Sequence, residues 1–117
     1  MRFRAGEVIA QQPSWWLYDE TNEVVAWAGE TYPSLRVAED AADDFRSGAT
    51  RAKFELFQDR SSQWRWRAYA ADRLVASSGE AFLSQIAARR AANLVRDNVA
   101  RATPAVDDQP ALRHAAP

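Results

Sequence analysis

The chain has 117 residues, a formal net charge of −1 from 15 Lys+Arg against 16 Asp+Glu, and 47% hydrophobic residues. That balance is globular rather than disordered. No apolar run approaches the roughly 18 residues that a membrane-spanning helix needs, and the opening Met-Arg-Phe-Arg-Ala-Gly-Glu lacks the apolar core of a signal peptide. With no cysteine, disulfides, thiolate catalysis and Cys-ligated zinc are excluded. The near-neutral charge gives no global pull toward nucleic acid or an anionic membrane.

In chain order, residues 2–10, 14–19 and 23–28 read as three strands, broken by Gly29. Ser34 stands before a helical pattern, where its hydroxyl can accept from a first-turn amide. The helix carries Leu35, Val37, Ala38, Ala41, Ala42 and Phe45 on one stripe, and Gly48 is its predicted stop. Lys53 to Gln58 then alternates as a strand, and Asp59-Arg60-Ser61-Ser62 is turn chemistry. Gln63 to Ala70 alternates cleanly, with Trp64, Trp66, Ala68 and Ala70 on one face and Arg65, Arg67 and Tyr69 on the other. A short turn at Ala71-Asp72 leads to a strand over 73–78, and Gly79 ends it. Ser84 precedes a second helix, predicted over 85–99, with Ala88, Ala92, Leu94 and Val95 on its inner stripe. Residues 103–117 hold three prolines and no periodicity, which predicts a flexible tail over 108–117; only Ala102 to Asp107 offers a further short strand, at an edge.

The order of these elements repeats. Sliding the chain by 50 residues aligns 16–46 with 66–96 without a gap, and ten of 31 positions are identical, among them Trp16/Trp66, Gly29/Gly79, Glu30/Glu80, Ser34/Ser84 and Ala38/Ala88. Ala-rich helices alone would not place Trp, Gly-Glu and Ser in step. The chain therefore reads as one pseudo-two-fold domain over 1–107, built from repeat 1 (1–50) and repeat 2 (51–107). The link over 47–52 is too short to be a free linker.

Lys53-Phe54-Glu55-Leu56-Phe57-Gln58-Asp59, followed by Gln63-Trp64-Arg65-Trp66-Arg67, resembles the opening of the YegP-like family of small proteins without established function. The pattern continues through the apolar strand ending at Ser78, then Glu80, Phe82 and the Ser84-capped helix. The resemblance is specific over about 53–101 and weaker over 1–50, where Trp15-Trp16-Leu17-Tyr18 replaces the Trp-Arg-Trp-Arg run. It implies an α+β fold of tandem β-β-β-α-β units that share one antiparallel sheet, with both helices on one face and the last strand exchanged between units.

Four groups of residues stand out. Trp16 and Trp66, with Ala38, Ala88 and Val95, are assigned to the core. Gly29-Glu30 and Gly79-Glu80 recur at the strand-to-helix corner, as turns or as a carboxylate pair; acid–base work would need the two carboxylates within about 5–10 Å. The face of the sheet away from the helices should carry Trp15, Leu17, Arg65, Arg67 and Tyr69. Arginines beside aromatics there suit a solvated face, a protein partner, or single-stranded nucleic acid or a flat ligand. His114 falls in the tail. Nothing has metal-ligand spacing, a phosphate loop or a nucleophile motif. The expectation is a monomeric, cytoplasmic, non-catalytic interaction module with no cofactor and no membrane contact, with nucleic acid disfavoured by the net charge.

Overall fold

A computed structural model describes residues 1–7 and 12–105; the predicted tail over 108–117, with His114, lies outside the described residues. Strands β1 (Arg2–Glu7), β2 (Pro13–Tyr18) and β3 (Val24–Trp27) are followed by helix α1 (Leu35–Gly48) and a 3-10 turn (Ala49–Arg51). The same order then recurs as β4 (Lys53–Gln58), β5 (Trp64–Ala70), β6 (Arg73–Ser78), α2 (Gln85–Asn98) and a 3-10 turn (Val99–Arg101). All six strands form one antiparallel sheet in the order β1-β2-β3-β6-β5-β4. The halves meet where Ala26 pairs with Ser78 and Trp27 with Ser77.

Local chemistry fixes these elements. The Asp19 carboxylate accepts from the amides of Thr21 (2.8 Å) and Glu23 (3.0 Å), and Asn22 takes the left-handed φ of 67°. Asp59 builds the same turn between β4 and β5, accepting from Ser61 (2.8 Å) and Gln63 (3.0 Å), with Ser62 at φ 65°. Ala71 and Asp72, both at positive φ (51° and 67°), close the tight β5–β6 hairpin. Ser34 Oγ accepts from the Val37 amide (3.2 Å) and Ser84 Oγ from that of Ala87 (3.1 Å), so both predicted caps are made. Each helix lies on the sheet through two alanines and one larger apolar residue, Ala38, Ala42 and Phe45 in α1 and Ala88, Ala92 and Val95 in α2. Leu35, Val37 and Leu94, expected on those inner stripes, are exposed instead.

Both helices cover one face of the sheet and share one core with it. A chain of aromatic contacts crosses from one half to the other. Phe3 meets Trp15 edge-on (5.4 Å), Trp15 stacks on Phe45 (5.4 Å), Phe45 reaches Phe54 (6.4 Å), and Phe54 meets Trp66 (5.2 Å). Neither buried indole N–H, of Trp15 or of Trp66, has a hydrogen-bond partner, so contact area is what holds these rings.

This core corrects the expected register of β2. Trp15 and Leu17 were expected on the open face and Trp16 in the core, but Trp15 and Leu17 are fully buried beneath α1 and Trp16 is half-buried on the opposite face. The reason is one residue of turn. Leu17 pairs with Ala26 as Ala68 pairs with Ala76, so Trp15, not Trp16, is the counterpart of Trp66. Tyr18 and Val24 are separated by one residue more than Tyr69 and Leu74. A constant 50-residue slide is therefore one step out in β2, and in a strand one step exchanges the two faces.

After Val99–Arg101 the chain returns to the other half. The Phe3 amide donates to Thr103 O (2.8 Å) and the Thr103 amide to Met1 O (3.0 Å), a parallel bridge on the outer edge of β1. The resemblance implied a further strand after each helix. Among the described residues this bridge stands in its place in the second half, and in the first the chain runs straight into β4.

Candidate ligand-binding face

The face turned away from the helices is set by the period of two. β1 contributes Arg2 and Arg4, β2 contributes Trp16 and Tyr18, and β3 contributes Trp27. From the second half come Ser77 of β6, Arg65, Arg67 and Tyr69 of β5, and Lys53, Glu55 and Phe57 of β4. Direct register partners line up as one row, Arg4–Trp16–Trp27–Ser77–Arg67–Glu55. With strands about 4.8 Å apart, the row spans about 24 Å. Trp16, Tyr18, Trp27, Phe57 and Tyr69 are half-buried, and Arg4, Lys53 and Arg67 are exposed.

Cations and rings are interleaved. The Arg2 guanidinium lies 5.0 Å from the centroid of Tyr18, and that of Arg67 lies 4.3 Å from the centroid of Phe57. Lys53 Nζ is 3.2 Å from Glu55, and Arg65 Nε donates to Asp59 Oδ2 at 2.9 Å. That Arg65 bond, with the Gln63 and Ser61 amides, holds the Asp59 carboxyl below the usual carboxylate range. Five cations (Arg2, Arg4, Lys53, Arg65 and Arg67) thus face one carboxylate, Glu55, with Asp59 at the rim. The chain is nearly neutral overall, yet this side carries an excess of positive charge.

Of the residues read from sequence, Arg65, Arg67 and Tyr69 lie on this face, and Trp15 and Leu17 do not. Arg2, Arg4, Trp16, Tyr18, Trp27 and Phe57 were missed. Aligning Trp15 with Trp66 would have found Trp16 and Tyr18, because it brings Tyr18 onto Tyr69.

The Gly-Glu corners serve packing. Each lies where one half crosses a strand of the other: Gly29 (φ +80°) lies against Leu74 and Ser77, and a Cβ on Gly79 would sit 2.1 Å from Val24 O. Glu30 lines a groove under α1 with Tyr32, Asp44 and Arg73, whereas Glu80 lines another under α2 with Glu23 and Phe82. The structure therefore does not assemble a carboxylate pair from them. Burial, with the Glu30 carboxylate adding to it, pushes the Tyr32 phenol up. Among the described residues no three His, Cys, Asp or Glu side chains converge as a metal site, and no helix is long and apolar enough to cross a membrane.

Together these features define a class, an α+β protein with one six-stranded antiparallel sheet, two helices on one face and an aromatic, cationic face opposite. Two solved structures share the fold. The solution NMR structure of yegP from E. coli, a protein of unknown function, superposes with a TM-score of 0.74 over 87% of this chain and 88% of that one, at 18% identity. The UPF0339 protein from Shewanella oneidensis superposes with a TM-score of 0.72 over 85% of this chain and 84% of that one, at 15% identity. The YegP-like resemblance read from residues 53–101 is thus matched in fold. No family model and no curated protein matches the chain.

Proposed function

We propose that this protein is a non-catalytic binding module that acts through the open sheet face and takes an anionic ligand carrying flat rings. The observation that supports the reading is the placing of Trp16 and Trp27, half-buried register neighbours at the centre of the sheet, between Arg4 on one side and Arg67 on the other. A face meant only for water has no use for two adjacent tryptophans. Tryptophan beside arginine also anchors protein interfaces; the alternation of cation and ring along one row favours a ligand that itself alternates anion and flat ring. The same proposal places the protein in the cytoplasm, which cell fractionation tests.

Amide and indole chemical-shift mapping tests the binding reading, with a mononucleotide and a sulfated oligosaccharide as probes at low salt. Shifts should centre on Trp16, Trp27 and Arg67. Shifts confined to the helices, or none with either probe, would overturn it.

A further inference from the structure

Resting on that reading, we infer that the natural occupant of the open face is single-stranded nucleic acid, its bases stacked on Trp16 and Trp27 and its phosphates held by Arg4 and Arg67. Three features point to a polymer strand rather than a small anion. First, the binding groups are spread along the row Arg4–Trp16–Trp27–Ser77–Arg67, across both halves of the molecule, instead of converging on one point. Second, the cations bracket the rings. In register order a guanidinium precedes the two indoles and another follows the serine beyond them. Phosphates flanking stacked bases require the same alternation of charge and ring.

Third, the face has charge complementarity for a polyanion, with Arg2, Arg4, Lys53, Arg65 and Arg67 against Glu55. Two of the five are already engaged with carboxylates, Lys53 with Glu55 and Arg65 with Asp59. Arg2, Arg4 and Arg67 make no salt bridge within the described residues, and of these Arg4 and Arg67 lie in the row of the two indoles, placed to take phosphate. A duplex would present only its backbone and leave the indoles unused, because its base faces are already stacked. The small net charge does not oppose this, since phosphate binding responds to the local field and not to the sum over the chain.

The test is fluorescence anisotropy of a short labelled oligothymidylate and of the same oligonucleotide as a duplex, titrated with the whole protein across a salt series. The single strand should bind at low salt, more tightly than the duplex, with log K falling linearly against log salt. The double variant Trp16→Ala/Trp27→Ala should weaken binding by at least about tenfold, from lost stacking. Arg4→Ala and Arg67→Ala should each flatten the salt slope by about 0.7. Arg89→Ala/Arg90→Ala, on the exposed side of α2, should change nothing. Near-UV circular dichroism of each variant separates lost binding from lost folding.

No binding of the single strand, tighter binding of the duplex, or equal losses from the Arg89/Arg90 and Arg4/Arg67 variants would overturn the inference. If the face shifts with a mononucleotide or sulfated oligosaccharide but the oligonucleotide does not bind, only the nucleic-acid occupant falls. If neither probe shifts the face, the binding-module reading falls with it.

Discussion

The two halves of the molecule agree in chemistry on one face of the sheet and part over much of the other. Beneath the helices Phe3 is matched with Phe54, Trp15 with Trp66, Ala26 with Ala76, Ala38 with Ala88 and Ala42 with Ala92, and where the halves differ, Leu17 for Ala68 and Phe45 for Val95, both residues are apolar. On the open face they match at one end, Arg2 with Lys53 and Tyr18 with Tyr69, and part elsewhere. Trp16 is matched with Arg67, Arg4 with Glu55 and Trp27 with Ser77. The first set must fill a shared core at crystal-like density, where a change of one methylene is felt. The second set meets solvent and is held by no such demand, so each half supplies a different part of one surface: both indoles from the first, three of the five cations from the second.

The sharpest way to break this contrast is to remove the large rings of each face. Trp15→Ala and Trp66→Ala should each cost about 3–5 kcal/mol in denaturant unfolding. Trp16→Ala, which leaves no enclosed cavity, should cost about 1 kcal/mol or less. Equal losses at Trp15 and Trp16 would mean that β2 runs in the other register. The corners come next, because matched glycines there do unlike work. Gly79→Ala drives a Cβ onto the Val24 carbonyl, backbone that cannot rotate away, and should cost about 2–3 kcal/mol. Gly29→Ala meets the side chains of Leu74 and Ser77 rather than backbone, together with a left-handed φ, and should cost about 1–2 kcal/mol.

The smallest effect is on acid stability. Backbone amides and the Thr21 hydroxyl hold the Asp19 carboxyl low, and Arg65 and backbone amides hold Asp59 low. A carboxyl with a lowered pKa in the folded state stabilises the fold above its unfolded pKa, about 4. That contribution disappears as the pH falls through the lowered value. Asp59→Asn should therefore flatten the loss of stability on acidification below about pH 4, by a small amount because the turn is at the surface. An unchanged acid limb would show that the Asp59 bonds add nothing to folding.

How much of this was legible in the sequence follows from what each signal depends on. The strands of the second half, the Ser34 and Ser84 caps and the Asp59 turn depend on neighbours within a few residues, and they were read correctly. The faces of β2 depend on the length of a turn several residues away, between Tyr18 and Val24, which no alternation within Ser14–Asp19 reveals. The charge on the open face was hidden for another reason. Its five cations come from three strands and are diluted along the chain by the acidic residues of α1 and the turns, so only the pairing of the strands gathers them. The resemblance supplied the single shared sheet, which composition and periodicity could not.

The contact between Phe45 and Phe54 also has a consequence for synthesis on the ribosome. Phe45 ends the packed stripe of α1, and its ring is met by a residue of β4 that is translated afterwards. β3 likewise waits for β6 before its outer edge is paired. The nascent first half therefore leaves the exit tunnel with a bare strand edge and an uncovered aromatic, and both persist until Ser78 has emerged. Over that interval a chaperone, or another nascent chain, competes for the surfaces that the second half will cover.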